Sequence, residues 1–184
     1  MTDLGLKGRA ALVTGASRNI GRAIALALAD AGASIAIVAR SDREAAEAVA
    51  REVEAFDVKA KVLIGDVASE ADAARLVSEA ASSLGRLDIL VNNAGVYEFS
   101  PLEAITEEHF HKQFNLNVLG LILTTQEAVK HFPEAGGSII NISSVVSSTF
   151  APAQGSVYSA TKGAVDAVTR SLSKELGPRK IRVN

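Results

Sequence analysis

Short apolar runs rich in Val, Ile, Leu and Ala alternate with longer helix-forming stretches from one end of the chain to the other, and this alternation constrains the fold more than any single motif. Residues 10–13, 34–39, 61–64, 87–91, 138–142 and 181–184 read as strands. Helical patterns cover about 20–31, 42–55 with Asp42 as its cap, 70–84, 107–132 and 158–176. The strands are continuous aliphatic runs, not apolar/polar alternations, which is the signature of strands buried on both faces. Strand–helix–strand repetition produces right-handed crossovers and a parallel sheet covered by helices on both sides. The expected fold is therefore α/β, a doubly wound parallel sheet in a single domain over residues 1–184. In such sheets ligands bind at the carboxyl ends of the strands, where the strand order reverses. Every motif described below follows a strand.

Composition narrows the function. Hydrophobic residues make up 48% and charged residues 22% of the 184, a globular balance with enough apolar surface for one core. A formal net charge of -2 gives no electrostatic footprint for nucleic acid or an anionic membrane. The chain has no cysteine, so disulfides, thiolate metal sites and a cysteine nucleophile are excluded; this suits a reducing cytoplasm. The opening residues lack the basic and apolar blocks of a signal peptide, and the longest apolar run, 118–123, is far too short to span a bilayer.

After the first strand comes Thr14-Gly15-Ala16-Ser17-Arg18-Asn19-Ile20-Gly21. A glycine-rich turn feeding a helix presents free N–H groups and a positive dipole end to a pyrophosphate. Gly15 permits the sharp turn, and Gly21 permits close approach of helix, sheet and cofactor. The segment resembles the TGxxxGxG turn of the short-chain dehydrogenase/reductase family, whose fold is Rossmann-like, with Asn19 where the middle glycine is usual. Asn tolerates a left-handed backbone better than most residues, so the turn can persist. The resemblance implies cofactor contacts from Gly15, Ser17, Arg18, Asn19, Ile20 and Gly21. It extends to Asp66-Val67 after the third strand, which would meet the adenine, and to Asn92-Asn93-Ala94-Gly95 after the fourth, where Asn93, Ala94 and Gly95 would shape the cofactor floor. The second strand ends in Ala39-Arg40-Ser41, without the carboxylate that NAD sites place on the ribose hydroxyls. Arg40, helped by Arg18, suits the 2′-phosphate of NADP, so NADP is expected over NAD.

Tyr158-Ser159-Ala160-Thr161-Lys162 opens the last long helix. Positions i and i+4 share a helical face, so phenol and ammonium can serve one pocket. A free phenol titrates near pH ~10. Lowering it by about three units takes roughly 4 kcal/mol, similar to one cation ~4 Å away at an effective dielectric of about 20. This pair resembles the family's YxxxK motif. Ser144, fourteen positions before Tyr158, matches its substrate-orienting serine, with Ser143 the competing assignment. Asn117 matches its fourth catalytic residue, which in the family holds a water in a proton relay from the lysine; otherwise it is a satisfied core amide. The resemblance implies hydride transfer between nicotinamide and a carbonyl carbon, with Tyr158 as general acid–base, Ser144 orienting the oxygen, and Lys162 supporting Tyr158 and gripping the ribose. Tyr158 and Lys162 are thus also implied cofactor contacts.

His109, His111 and His131 show no metal-ligand pattern. Tyr97, Glu98 and Phe99 read either as the edge of the substrate pocket or as loop packing. The best-matching activity is that of 3-oxoacyl-carrier-protein reductases, acting on a small carbonyl or alcohol. A sugar or polyol dehydrogenase resembling glucose 1-dehydrogenases is the alternative, and a non-catalytic NADP-binding scaffold or sensor is the alternative of another class. Family members are commonly homotetramers or homodimers. They also usually continue past Ile181-Arg182-Val183-Asn184 by roughly sixty residues, carrying a substrate loop and a last strand, so the sequence reads as truncated there.

Overall fold

The structure is a computed structural model that describes residues 5–184. It contains six strands, β1 (Ala10–Thr14), β2 (Ser34–Ala39), β3 (Ala60–Ile64), β4 (Ile89–Asn92), β5 (Gly137–Asn141) and β6 (Ile181–Val183). The helices are α1 (Asn19–Asp30), α2 (Arg43–Glu54), α3 (Glu70–Leu84), α4 (Glu107–Phe114), α5 (Gly120–His131) and α6 (Ser156–Leu176). All six strands are parallel, in the order β3-β2-β1-β4-β5-β6. The order reverses between β1 and β4, so the turns that follow these two strands meet at the carboxyl edge.

Alternate residues of each strand serve opposite helical layers, which is why the strands read as unbroken apolar runs. Ala11, Val13, Ile35 and Ile37 pack with Ala25 and Ala29 of α1 and Val49 and Val53 of α2. Leu12, Ala36, Val38, Leu90 and Ile139 pack with Leu76 and Ala80 of α3, Ala128 of α5 and Leu176 of α6. Side-chain caps open α2, α3 and α4: Asp42 accepts from Ala45 N at 3.0 Å, Ser69 from Asp72 N at 3.4 Å, and Thr106 from His109 N at 3.1 Å. α1 has no such cap, since Arg18 precedes it without a side-chain hydrogen bond. Its first-turn N–H groups therefore face the carboxyl edge without an internal acceptor.

The expected single helix over 107–132 is not uniform. A π turn over Asn115–Leu119 separates α4 from α5. Two contacts explain it. The buried Asn117 amide is drawn toward Val96 and Thr161, and Gly120 packs so tightly on Val67 that a Cβ there would lie 3.2 Å from Val67 Cγ2. One extra residue in the turn satisfies both. Residues 87–88 lead into β4 without belonging to it, because Asp88 closes a charged cluster under the sheet. Its carboxylate accepts from Arg9 at 2.8 Å, Arg86 at 2.6 and 2.7 Å, and Ala10 N at 3.0 Å.

Burial alone would push the Asp88 carboxyl up, but the Arg86 and Arg9 guanidiniums and the Ala10 N–H outweigh it and hold the group below the usual carboxylate range. A depressed folded value means stability that is present above the unfolded carboxyl range, about pH 4, and lost as pH falls through the lower folded value. Asp88→Ala should therefore cost about 2 kcal/mol at neutral pH. The gap to the parent protein should narrow on acidification below about pH 4, as read by urea unfolding at a series of pH values.

Candidate active site

At the reversal between β1 and β4, the two turns are latched by hydrogen bonds. The Thr14 hydroxyl accepts from Asn93 N at 3.0 Å and Ala94 N at 2.9 Å. Asn93 Nδ2 returns two bonds, to Thr14 O at 2.9 Å and Gly15 O at 3.1 Å. Gly15 takes φ +64° with Ala94 Cα directly above it, and a Cβ on Gly21 would lie 2.2 Å from Gly15 O. Asn19 takes φ 49°, so the middle position keeps the left-handed backbone that glycine would usually supply.

Above this latch lies an open cleft of about 430 Å³. Gly15, Ser17, Arg18, Asn19, Ile20 and Gly21 form one wall, Arg40, Asp66 and Val67 the end beyond β2 and β3, and Asn93, Ala94 and Gly95 the floor. Residues the sequence did not single out as contacts, among them Ser41, Gly65 and Leu116, complete the lining. The cleft fits an extended nucleotide: glycines where a Cβ would crowd its neighbours, uncapped N–H groups of α1 on one side, and exposed arginines lining it, Arg18 in the glycine turn and Arg40 after β2. Arg40 Nε stands 3.3 Å from Asp66 Oδ2, while Asp66 Oδ1 accepts from Ala68 N at 3.0 Å.

Tyr158 and Lys162, expected to touch the cofactor, lie beyond this lining. Tyr97, which lines the cleft, joins them to it: its ring centroid is 5.9 Å from that of Tyr158. Tyr158 is the third residue of α6. Lys162, one turn on, is buried with Nζ 5.9 Å from the Tyr158 ring centroid, and donates to Ile142 O at 2.7 Å. Burial lowers its pKa, and the charge of Asp166, one further turn along α6, opposes that shift. Asp166 is itself held below the usual carboxylate range: burial pushes it up, but the polar Ser143 and Ser147 hydroxyls nearby and the Arg170 and Lys162 charges outweigh this.

Ser144 follows β5 and opens a 3-10 turn over Val145–Ser147 that packs on α6. Its hydroxyl accepts from Val146 N at 3.4 Å. Ser143 points instead to the helix, donating to Lys162 O at 3.4 Å. Asn117 is a fully satisfied amide: it accepts from Val96 N at 2.8 Å and donates to Val96 O at 2.8 Å and Thr161 Oγ1 at 3.0 Å. Thr161 in turn donates to Tyr158 O at 2.7 Å, linking Asn117 to the first turn of α6.

Thr14, Thr161, Gln113 and Asp166 escaped the sequence reading. Thr14 and Thr161 lie inside motifs that had been read for their neighbours. Gln113 is wholly buried four residues before Asn117, and that i, i+4 pair of amides on one helical face was the available signal. Of the ambiguous trio, Tyr97 and Phe99 face Tyr158, whereas Glu98 is loop packing, paired to Lys112 and lying 3.8 Å from His109. Among the described residues no cluster of His, Asp or Glu is arranged to hold a metal ion.

A sequence model described as short chain dehydrogenase matches residues 9–184. An uncharacterized oxidoreductase of Methylorubrum extorquens is 51% identical over 179 residues, which are 97% of this chain and 71% of that protein. Versicolorin reductase 1 of Aspergillus parasiticus is 38% identical over 179 residues, covering 97% of this chain and 68% of that protein. The crystal structure of a short chain dehydrogenase from Burkholderia cenocepacia in complex with NADP superposes with a TM-score of 0.94 at 38% identity, over 97% of this chain and 73% of that one.

The Lys162–Asp166 arrangement yields a prediction with a definite sign. Removing the Asp166 charge leaves burial unopposed, so Lys162 loses its proton at lower pH. In Asp166→Asn the alkaline limb of the pH–rate profile should move to lower pH, since the amide keeps hydrogen-bonding capacity but not the charge. An alkaline limb at the parent's position would refute the coupling.

Proposed function

The chain belongs to the short-chain dehydrogenase family of oxidoreductases acting between CH–OH and C=O groups, and from that premise we propose that it is an NADP-dependent ketoreductase with Tyr158, Lys162 and Ser144 as its catalytic residues and Asn117 as the residue that positions them. The supporting observation is the buried Lys162 ammonium beside the Tyr158 ring, on one helical face, joined through Tyr97 to a nucleotide-sized cleft. Ketones in the broad sense, the 3-oxoacyl class included, are the substrates of this reading.

The choice of NADP rests on Arg40 and Arg18, both exposed and lining the cleft, with no carboxylate terminating β2. The Arg40–Asp66 pair is open to solvent, and exposed pairs are worth only about 0–1 kcal/mol. A 2′-phosphate therefore displaces Asp66 from the guanidinium at little cost. The NADP complex of the Burkholderia relative supports the same choice.

Bound in this cleft, the nicotinamide supplies the hydride for reduction or takes it in the reverse direction. The protein's part is to manage the oxygen. Ser144 holds the substrate oxygen by a hydrogen bond, and Tyr158 delivers the proton to it as negative charge develops. Lys162 stabilises the phenolate left behind; its own position is fixed by Ile142 O and its charge sustained by Asp166. Asn117 fixes the start of α6 through Thr161, and with it the Tyr158 backbone. We further read the protein as a cytoplasmic homo-oligomer. Exposed Phe110, Leu119 and Ile122 along α4, the π turn and α5 are the apolar surface a second copy would cover.

Tyr158→Phe should lower kcat about 10²–10⁴-fold while leaving NADPH binding intact, measured by turnover and by NADPH fluorescence titration. Near-parental turnover would remove Tyr158 from the mechanism. Arg40→Asp should weaken NADPH binding roughly tenfold to a hundredfold and shift preference toward NADH. An unaltered NADPH affinity would place the 2′-phosphate elsewhere.

A further inference from the structure

The loop after the floor of the cleft is held in an unusual way. Asn117 grips both backbone polar groups of Val96, and Gln113, one turn earlier, grips both of Glu98, accepting from its N at 3.1 Å and donating to its O at 3.2 Å. Two side-chain amides thus pair with alternate residues, as a neighbouring strand would. Ser100 N donates to Gln154 O at 2.9 Å and fastens the far end of the loop to the segment before α6. Tyr97 and Phe99 are left standing on the Tyr158 side. Phe99 meets the Tyr158 ring edge-on at 6.4 Å and 85°, Tyr97 tilts against it at 5.9 Å, and the two touch each other at 6.0 Å. Gly155 makes room for this wall, since a Cβ there would lie 3.0 Å from Phe99 Cε1.

These rings are held by a fixed backbone and are still 68% and 49% exposed. Val145 and Phe150, on the loop that carries Ser144, are exposed as well. The charge pattern is as telling as the rings. Residues 143–157 contain no charged side chain, and residues 93–106 contain no Lys or Arg. Glu98, the acidic residue within the clamped stretch, is neutralised by Lys112. A phosphorylated, carrier-bound or carboxylate-bearing substrate would find no cation on either loop, whereas a flat apolar one would find aromatic faces at a set distance from the phenol.

We infer that the ketone taken by this site is part of a neutral, planar aromatic ring system, stacked on the Tyr97–Phe99 wall that Gln113 and Asn117 hold in place. This deepens the ketoreductase reading and rests on it. The carbonyl carbon gains a hydride, two electrons, from NADPH, which is left as NADP⁺; the oxygen gains the Tyr158 proton as the C=O π bond opens, giving a secondary alcohol. Gln113 is a positioning residue for this specificity, acting through the loop.

The test compares 1-tetralone with 1-decalone, the same fused skeleton with and without an aromatic ring, using the full chain with NADPH. The ratio of kcat/KM for the two ketones should fall about tenfold in Phe99→Leu and in Tyr97→Leu, and stay near the parent's in Phe99→Tyr. Intrinsic ketone reactivity cancels in this comparison between variant and parent, and NADPH fluorescence titration reports that each variant is folded. A ratio unchanged by both leucine variants overturns the inference. Reduction of acetoacetyl-CoA without reduction of tetralone overturns it too, while leaving the ketoreductase reading standing. Absence of NADPH oxidation with every carbonyl would overturn both.

Discussion

Gly21 has almost no room: a side chain there would run into Gly15 O, Asn93 Nδ2 and Ala16 Cα together. That crowding holds α1 against the turn that follows β1, and the Thr14–Asn93 hydrogen bonds hold the same turn against the one that follows β4. The reversal of strand order makes these turns neighbours, and their closeness opens the cleft above them. The cofactor floor, the uncapped start of α1 and the approach to Tyr97 all inherit their positions from this contact. A looser latch would splay the floor from the glycine turn and lose the glycine-lined wall as a unit.

Behind the floor, polar side chains are buried in mutually satisfied groups. Asn92 donates to Thr125 at 3.0 Å and to Asn141 at 2.9 Å, accepts from Thr124 at 2.7 Å, and Asn141 passes a bond on to Thr169 of α6. Unpaired, each of these groups would cost about 1–3 kcal/mol. Paired, they tie β4, β5, α5 and α6 into one block whose register cannot drift without breaking several bonds. The Asn117–Thr161–Tyr158 chain and the Lys162–Ile142 bond continue the same logic up to the chemistry. Tyr158 is thereby held by backbone and helix start, leaving its ring free to meet Tyr97 and Phe99.

The paired amides Gln113 and Asn117 give the π turn its purpose. An unbroken α-helix over this span would have to satisfy Asn117 and pack Gly120 on Val67 with one residue fewer. The wide turn lets α4 present Gln113 to Glu98 while α5 still docks Ala128 into the core. The clamps on Glu98 and Val96 are therefore set one turn apart, Gln113 on α4 and Asn117 in the π turn.

Most of the fold was legible in the sequence because its determinants are local: aliphatic runs of strand length, helical periods, Asp42 as a cap, glycines after strands. The residues of the glycine turn, Arg40, Asp66 and Val67, the floor at Asn93, Ala94 and Gly95, and the Tyr158–Lys162 spacing were readable for the same reason. The span 107–132 reads locally as one long helix, since its π turn answers to Val67, Val96 and Thr161, residues that lie 21 to 53 positions from the Asn117 and Gly120 they touch. Likewise the sequence left Tyr97, Glu98 and Phe99 undecided, and Gln113 unnoticed. Their roles depend on pairing a loop with a helix across a distance that no local pattern encodes. By itself the sequence determined a parallel α/β sheet with chemistry at its carboxyl edge. Only the tertiary structure decided which side chains share a bond there, because the buried bonds that tie β4, β5, α5 and α6 together join residues far apart along the chain.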